Sequence, residues 1–309
     1  MKPKKILIST STFGVFDRKP LLQLKKAGYD VLLNPHGRRL SKAELLPLLR
    51  DAVGLIAGTE RLDDDIFRQS PHLRVISRCG SGMDTVDMQA AHRRGIVVRS
   101  TPEAPVESVA ELALALMLAT LRRTHEADRL IRHKQWKPLM GRLLEGKTVG
   151  LIGLGRIGKR VVELLQPFHV RILARDKKPD RAFAKRRHVQ ITSLDSLLRR
   201  SDIVSLHVGL DASTRGLIGA SQLRAMKPSA ILINTSRGEL VDDRALAKAL
   251  QAKKIAGAGL DVYPDEPYHG PLLKCDQAAL TAHMGSYAFE TRLHMEHLAV
   301  HNLLAALRG

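Results

Sequence analysis

Short apolar runs alternate with stretches of helical spacing along the whole chain. In the first third the runs fall at residues 5–9, 31–34, 53–57, 74–77 and 96–98, and each predicts a buried strand. Between two of them, Ser41 and Glu44 stand at capping-box spacing ahead of Leu45, Leu46, Leu48 and Leu49, which marks the start of a helix. A long helical stretch covers about 106–133; its first part is almost wholly apolar and the rest is charged. A helix of that length can cross between domains or reach a second subunit. The alternation restarts at 148–152 and continues through 171–174, 203–207, 230–234, 256–261 and 279–281, before a closing amphipathic helix at 286–307. Apolar strands separated by helices belong to parallel sheets covered on both faces. The pattern predicts an α/β protein of two doubly wound parallel-sheet domains in series.

At 309 residues the chain can build two cores, and 44% hydrophobic with 26% charged residues is the balance of a soluble globular protein. The longest apolar stretch, 112–121, is far short of the roughly 20 residues that span a bilayer, so no membrane association is expected. The opening Met1-Lys-Pro-Lys-Lys runs directly into Ile6-Leu-Ile without a small-residue cleavage site, which reads as a first strand rather than a signal peptide. Cys79 and Cys275 lie far apart with no metal-ligand spacing, as expected of free thiols in a reducing cytoplasm. A formal net charge of +19 raises the question of nucleic acid. The cations are scattered as pairs, no basic arm is present and aromatic residues make up only 4%, so the charge predicts attraction of small anions rather than a nucleic-acid partner. His294, His297 and His301 share one face of the last helix but lack a fourth ligand, and no metal is expected.

The strongest local signal is Gly153-Leu-Gly155-Arg-Ile-Gly158, directly after an apolar strand and at the start of a helical pattern. In that context the glycines form a dinucleotide fingerprint. Gly153 permits the tight turn, Gly155 lets the backbone approach a pyrophosphate, and Gly158 lets helix and strand pack closely, while the helix N-terminus presents N–H groups to the phosphates. About 20 residues on, Asp176 ends the next strand. A carboxylate there accepts hydrogen bonds from ribose hydroxyls and repels a 2′-phosphate, which predicts NAD over NADP.

Three downstream segments each place an ionisable residue after an apolar strand: Arg237, Glu266 and His283. In a parallel sheet those strand ends open into the ligand crevice. Reduction of a 2-oxo acid needs a hydride, a proton for the developing alkoxide and a cation for the polar end. His283 suits the proton, Glu266 would orient and charge its ring, and Arg237 would polarise the carbonyl and grip the carboxylate.

With these segments in place, the chain resembles the D-isomer-specific 2-hydroxyacid dehydrogenases, and among them the phosphoglycerate dehydrogenase-like branch. The resemblance runs over nearly the whole chain and includes Arg78-Cys-Gly-Ser-Gly-Met-Asp-Thr-Val-Asp87, Thr101-Pro102, Val109-Ala-Glu111, Trp136 and Met140-Gly141. It implies a catalytic set of Arg237, Glu266 and His283. It implies a substrate carboxylate held by the Gly80-Ser81-Gly82 loop with Arg78 nearby. It further places Arg156, Ile157, His207, Thr235 and Asp261 about the cofactor, Asp261 on the nicotinamide amide. The implied fold is a flavodoxin-like substrate domain, 1–100 plus 286–309, with an inserted Rossmann NAD-binding domain, 101–285, and a homodimer built on about 106–140. The sequence departs from the family at His207-Val-Gly209, where His-x-Pro is usual, and at Ala282, where proline commonly precedes the histidine. Residues 57–61 also lack the Arg-Ser-x-Thr pattern that helps bind phosphate, although Arg78 and Arg61 could still hold one. The activity expected is an NAD-dependent 2-hydroxyacid dehydrogenase, on 3-phosphoglycerate or as a hydroxypyruvate/glyoxylate-type reductase. The reading from another class is a non-enzymatic NAD-sensing protein like the corepressors that share this fold.

Overall fold

The strand-forming runs assemble into two separate sheets. The computed structural model describes residues 4–308; of the expected first domain, 1–3 and 309 lie outside the described residues. One unit comprises Met1–Pro105 with Ser286–Gly309, the other Val106–Gly285.

In the first unit, strands β1 (Lys4–Ile8), β2 (Tyr29–Leu33), β3 (Ala52–Ala57), β4 (Val75–Arg78) and β5 (Val97–Arg99) form a parallel sheet of order β2-β1-β3-β4-β5. The strands alternate with helices α1 (Lys19–Lys26), α2 (Lys42–Leu49), α3 (Asp64–Arg68) and α4 (Met88–Arg93). The capping box at α2 is present, with Glu44 N–H donating to Ser41 Oγ at 3.4 Å and Ser41 N–H to Glu44 Oε2 at 2.9 Å. Leu45, Leu49, Ile66, Phe67 and Ala90 cover one face of the sheet. Leu24 covers the other, together with Met295, Ala299, Val300 and Leu303 of the C-terminal helix (Phe289–Arg308). That helix also takes a hydrogen bond from the sheet, Ser77 Oγ donating to the Ala299 carbonyl at 2.8 Å.

The second unit opens with α5 (Val106–Arg122) and α6 (Thr124–Arg132). Its sheet then follows as β6 (Thr148–Ile152), α7 (Arg156–Leu165), β7 (Arg171–Arg175), α8 (Arg181–Arg186), β8 (Val189–Ile191), α9 (Leu194–Arg200), β9 (Ile203–Leu206), α10 (Ala220–Ala225), β10 (Ile231–Asn234), α11 (Asp243–Gln251), β11 (Gly257–Leu260) and β12 (Ala278–Leu280). The C-terminal helix is α12. All seven strands are parallel, in the order β12-β11-β10-β9-β6-β7-β8. The order reverses between β6 and β9, and ligands of such sheets bind at the carboxyl ends beside that switch. Both faces are covered: α5, α7 and α8 pack on one, α9, α10 and α11 on the other.

Two expectations are corrected. The helix expected over 106–133 is two helices, because Arg123 stands between them at φ 54, in the left-handed region that ends a helix. Arg123 is held there by a two-pronged pair with Glu126, 2.9 and 2.8 Å. Strand β8 is an addition to the expected set: three residues on a sheet edge carry too little periodicity to register. Among the described residues no helix is long and apolar enough to cross a membrane.

Leu303 of α12 is fully buried over β3, where a Cβ on Gly54 would lie 3.1 Å from its Cδ1. Leu303→Ala should therefore destabilise the first unit by about 2–5 kcal/mol. Urea titration checks this, and a loss below about 1 kcal/mol would contradict the packing.

Candidate active site

The glycine turn between β6 and α7 is shaped by its own backbone. Gly153 sits at φ 104 with its Cα against the His207 carbonyl, and Gly158 faces the Gly153 carbonyl, so a side chain at either position would collide with main chain. Around Gly155 the space is open, which leaves the backbone approachable by a pyrophosphate. Arg156 and Ile157 are the first residues of α7. Asp176 follows β7 and accepts the Leu154 N–H at 2.7 Å and the Lys178 N–H at 2.7 Å. The carboxylate thus braces the glycine turn. Lys177, which could soften repulsion of a 2′-phosphate, is committed to Asp211 at 2.9 Å and to Ser213.

His207 and Thr235 follow β9 and β10. His207 Nε2 lies 2.9 Å from Ser205 Oγ, and burial pushes the imidazole down to about 4, so the ring is neutral at pH 7. His207 Nδ1 and Thr235 Oγ1 are buried polar atoms with no partner among the described residues. Two orphaned polar atoms beside a backbone cradle fit a dinucleotide, whose polar groups would satisfy them.

The ionisable set lies on the neighbouring loops. Glu266 Oε2 is 2.8 Å from His283 Nδ1, and its Oε1 accepts the Tyr263 N–H at 3.2 Å. His283 stands at φ 52, and its N–H donates to the Asp261 carbonyl at 2.8 Å. Asp261 is almost fully buried. Its carboxylate accepts from Thr281 Oγ1 at 2.6 Å, Met284 N–H at 2.8 Å and Gly285 N–H at 2.8 Å, which clamps the turn that carries His283. Tyr263 adds a second brace, its hydroxyl donating to the Leu260 and Thr281 carbonyls at 3.1 and 3.0 Å. Arg237 follows β10, with its carbonyl held by Asn234 Nδ2 at 2.8 Å and Nη1 donating to the Ser236 carbonyl at 2.7 Å. Gly238 packs directly on the Tyr263 main chain, leaving no room for a side chain. The Arg237 and Glu266 loops are joined at that contact. Tyr263, Thr281 and Gly238 were not expected in these roles, although all three lie in the segments that carry the ionisable set.

In the first unit the loop after β4 contains Gly80, Ser81 and Gly82. The Gly80 N–H donates to Thr101 Oγ1 at 2.9 Å, so of these three only Ser81 and Gly82 keep N–H groups without an acceptor among the described residues. Arg78 is buried, with Nε donating to the Gly82 carbonyl at 3.1 Å and Nη1 to the Gly58 carbonyl. It buttresses the loop from beneath.

A neutral buried histidine, a glycine cradle and a carboxylate-oriented histidine at the carboxyl ends of one parallel sheet define a dinucleotide-dependent oxidoreductase. Residues 114–285 match the model of the NAD-binding domain of the D-isomer-specific 2-hydroxyacid dehydrogenases. The chain is 41% identical over 278 residues to a glyoxylate reductase of Korarchaeum cryptofilum, covering 87% of this chain and 84% of that one. A crystal structure of a protein from Thermus thermophilus superposes with a TM-score of 0.91 at 39% identity, over 99% of this chain and 97% of the other. An NADPH-dependent glyoxylate/hydroxypyruvate reductase of Sinorhizobium meliloti, solved with NADP and malonate, gives 0.86 at 32% identity over 99% and 94%. The chain belongs to the D-isomer-specific 2-hydroxyacid dehydrogenase family. It is an NAD-dependent oxidoreductase of 2-hydroxy acids.

The depressed His207 gives a pH signature. The unfolded chain takes up a proton at this residue near pH 6.5, whereas the folded one does so only near 4. Below about 6.5 the unfolded state binds more protons, so stability falls as pH drops towards 4. His207→Gln should flatten that part of the urea-midpoint profile, and an unchanged slope would speak against a buried neutral ring.

Proposed function

We propose that the protein reduces a small unphosphorylated 2-oxo acid, glyoxylate or hydroxypyruvate, with Arg237, Glu266 and His283 as its catalytic residues. The observation that carries this reading is the 2.8 Å hydrogen bond between His283 Nδ1 and Glu266 Oε2. It fixes the ring orientation and leaves Nε2 to deliver a proton. NADH, when bound, would supply the hydride for C2 of the acid. His283 gives its proton to the carbonyl oxygen as that oxygen becomes a hydroxyl, and takes it back in the oxidative direction. The Arg237 guanidinium polarises the carbonyl and pairs with the carboxylate. The N–H groups of Ser81 and Gly82 are the further donors proposed for the substrate carboxylate. Asp261, His207 and Thr235 are proposed to line the cofactor.

The unphosphorylated substrate is supported by two features. Arg78, one of the two arginines expected to meet a phosphate, is buried and donates to the Gly58 and Gly82 carbonyls. Two of the relatives named above, those of Korarchaeum cryptofilum and Sinorhizobium meliloti, are described as reductases of glyoxylate or of glyoxylate and hydroxypyruvate. Consumption of NADH, followed in absorbance with glyoxylate, hydroxypyruvate, pyruvate and 3-phosphohydroxypyruvate, tests the assignment. One of the first two should be preferred, and His283→Ala should lower kcat by about 10²–10⁴. Near-normal turnover in that variant would remove His283 from the chemistry.

A cytoplasmic homodimer completes the reading. Its support is two free, buried thiols and the exposed apolar side chains Ile131, Trp136, Met140 and Leu143, all but Leu143 within the segment 106–140; Trp136 is 90% and Met140 88% exposed. Apolar exposure of that kind marks an interface. Sedimentation should give twice the 34.2 kDa chain mass, and Trp136→Glu should shift it towards one chain. A wild-type monomer would refute the dimer.

A further inference from the structure

We infer that Glu60 determines which 2-oxo acids are accepted, favouring a C3 substituent that donates a hydrogen bond and rejecting an anionic one. The inference rests on the reading of the preceding subsection and concerns a residue outside its catalytic set. Strands β3 and β4 pair in register at Ala57 and Arg78, so the turns that follow them leave the sheet side by side. The turn after β3 runs through Gly58 and Thr59 to Glu60, which is only 3% exposed. Its carboxylate lies over Gly58: a Cβ placed there would be 3.3 Å from Oε2 and 3.4 Å from Oε1. Oε2 is buried without a hydrogen-bond partner among the described residues, and so is Thr10 Oγ1, whose own methyl group borders the same point at 3.2 Å. Arg78 links this turn to the loop proposed to bind substrate, since it donates both to the Gly58 carbonyl and to the Gly82 carbonyl.

The chemistry follows from that placement. An ionised carboxylate is acceptor-only, and burying one without donors is costly. Its complement is a hydroxyl or another N–H or O–H donor on the ligand, as in the CH2OH group of hydroxypyruvate. A phosphate or second carboxylate on C3 would bring a like charge to a water-poor site, which is the kind of repulsion that rejects a competing substrate.

The test compares kcat/KM for 3-phosphohydroxypyruvate with kcat/KM for hydroxypyruvate in the wild type and in E60Q, which keeps the side-chain volume and removes the charge. The ratio should rise at least tenfold in E60Q. E60S, expected to move the ratio in the same direction, carries the test if the amide folds poorly. A merely structural role lowers both values in proportion, and an unchanged ratio in an active enzyme overturns this inference alone. A wild type that reduces neither acid overturns this inference, and one that reduces no glyoxylate either overturns the functional reading as well.

Discussion

Asp261 is 1% exposed, and a carboxylate so deeply buried is tolerated only where donors surround it. Thr281 Oγ1 and the N–H groups of Met284 and Gly285 supply them, while the Asp261 carbonyl takes the His283 N–H. The end of β11 is thereby tied to the loop after β12, with His283 fixed in a left-handed conformation that costs on the order of 1–3 kcal/mol unless the surroundings impose it. Everything about the histidine follows from that clamp. Its ring reaches Glu266 because the turn cannot relax, and Tyr263 and Gly238 extend the same rigid contact to the Arg237 loop.

The cofactor half is built on a different principle. Its recognition surface is mostly main chain, and side chains at Gly153 and Gly158 are excluded by carbonyl groups of the protein itself. Asp176 braces the same turn through the Leu154 N–H. Many surface cations are spent locally, such as Lys42 with Asp63 and Asp65 or Arg160 with Glu107 and Glu163. Such exposed pairs contribute little to stability. The remaining excess of positive charge acts at longer range, raising the local concentration of anionic acids and dinucleotides at low salt.

Most of the architecture was legible in the sequence because buried parallel strands are short unbroken apolar runs. The run at 148–152 coincides with β6, and most of the others lie within a residue or two of a strand. What escaped was conformational. Nothing in the residues around Arg123 signals a left-handed break, since arginine has no special freedom there, and a three-residue edge strand such as β8 has no period to detect. At the site, residue types were legible but hydrogen-bond partners were not. The loop glycines looked equivalent, yet Gly80 gives its N–H to Thr101. The bonds that Arg78 and Asp261 make to the protein's own loops were likewise not legible. Glu60 gave only a negative signal, the missing phosphate-binding pattern; its burial needed coordinates.

The helix that closes the chain belongs to the sheet that opens it. Ser77 bonds to Ala299 across 222 residues, and the Gly14 N–H reaches Glu296 across 282. Ile6, Ile8, Ile56 and Val75 depend on α12 for their cover. During vectorial synthesis the ribosome therefore delivers the amino-terminal sheet long before its last layer exists, while the contiguous 106–285 segment has all its partners in hand. The inserted unit can complete its fold first, and the opening strands wait, with one apolar face covered only in part by α1, for the twenty residues of α12.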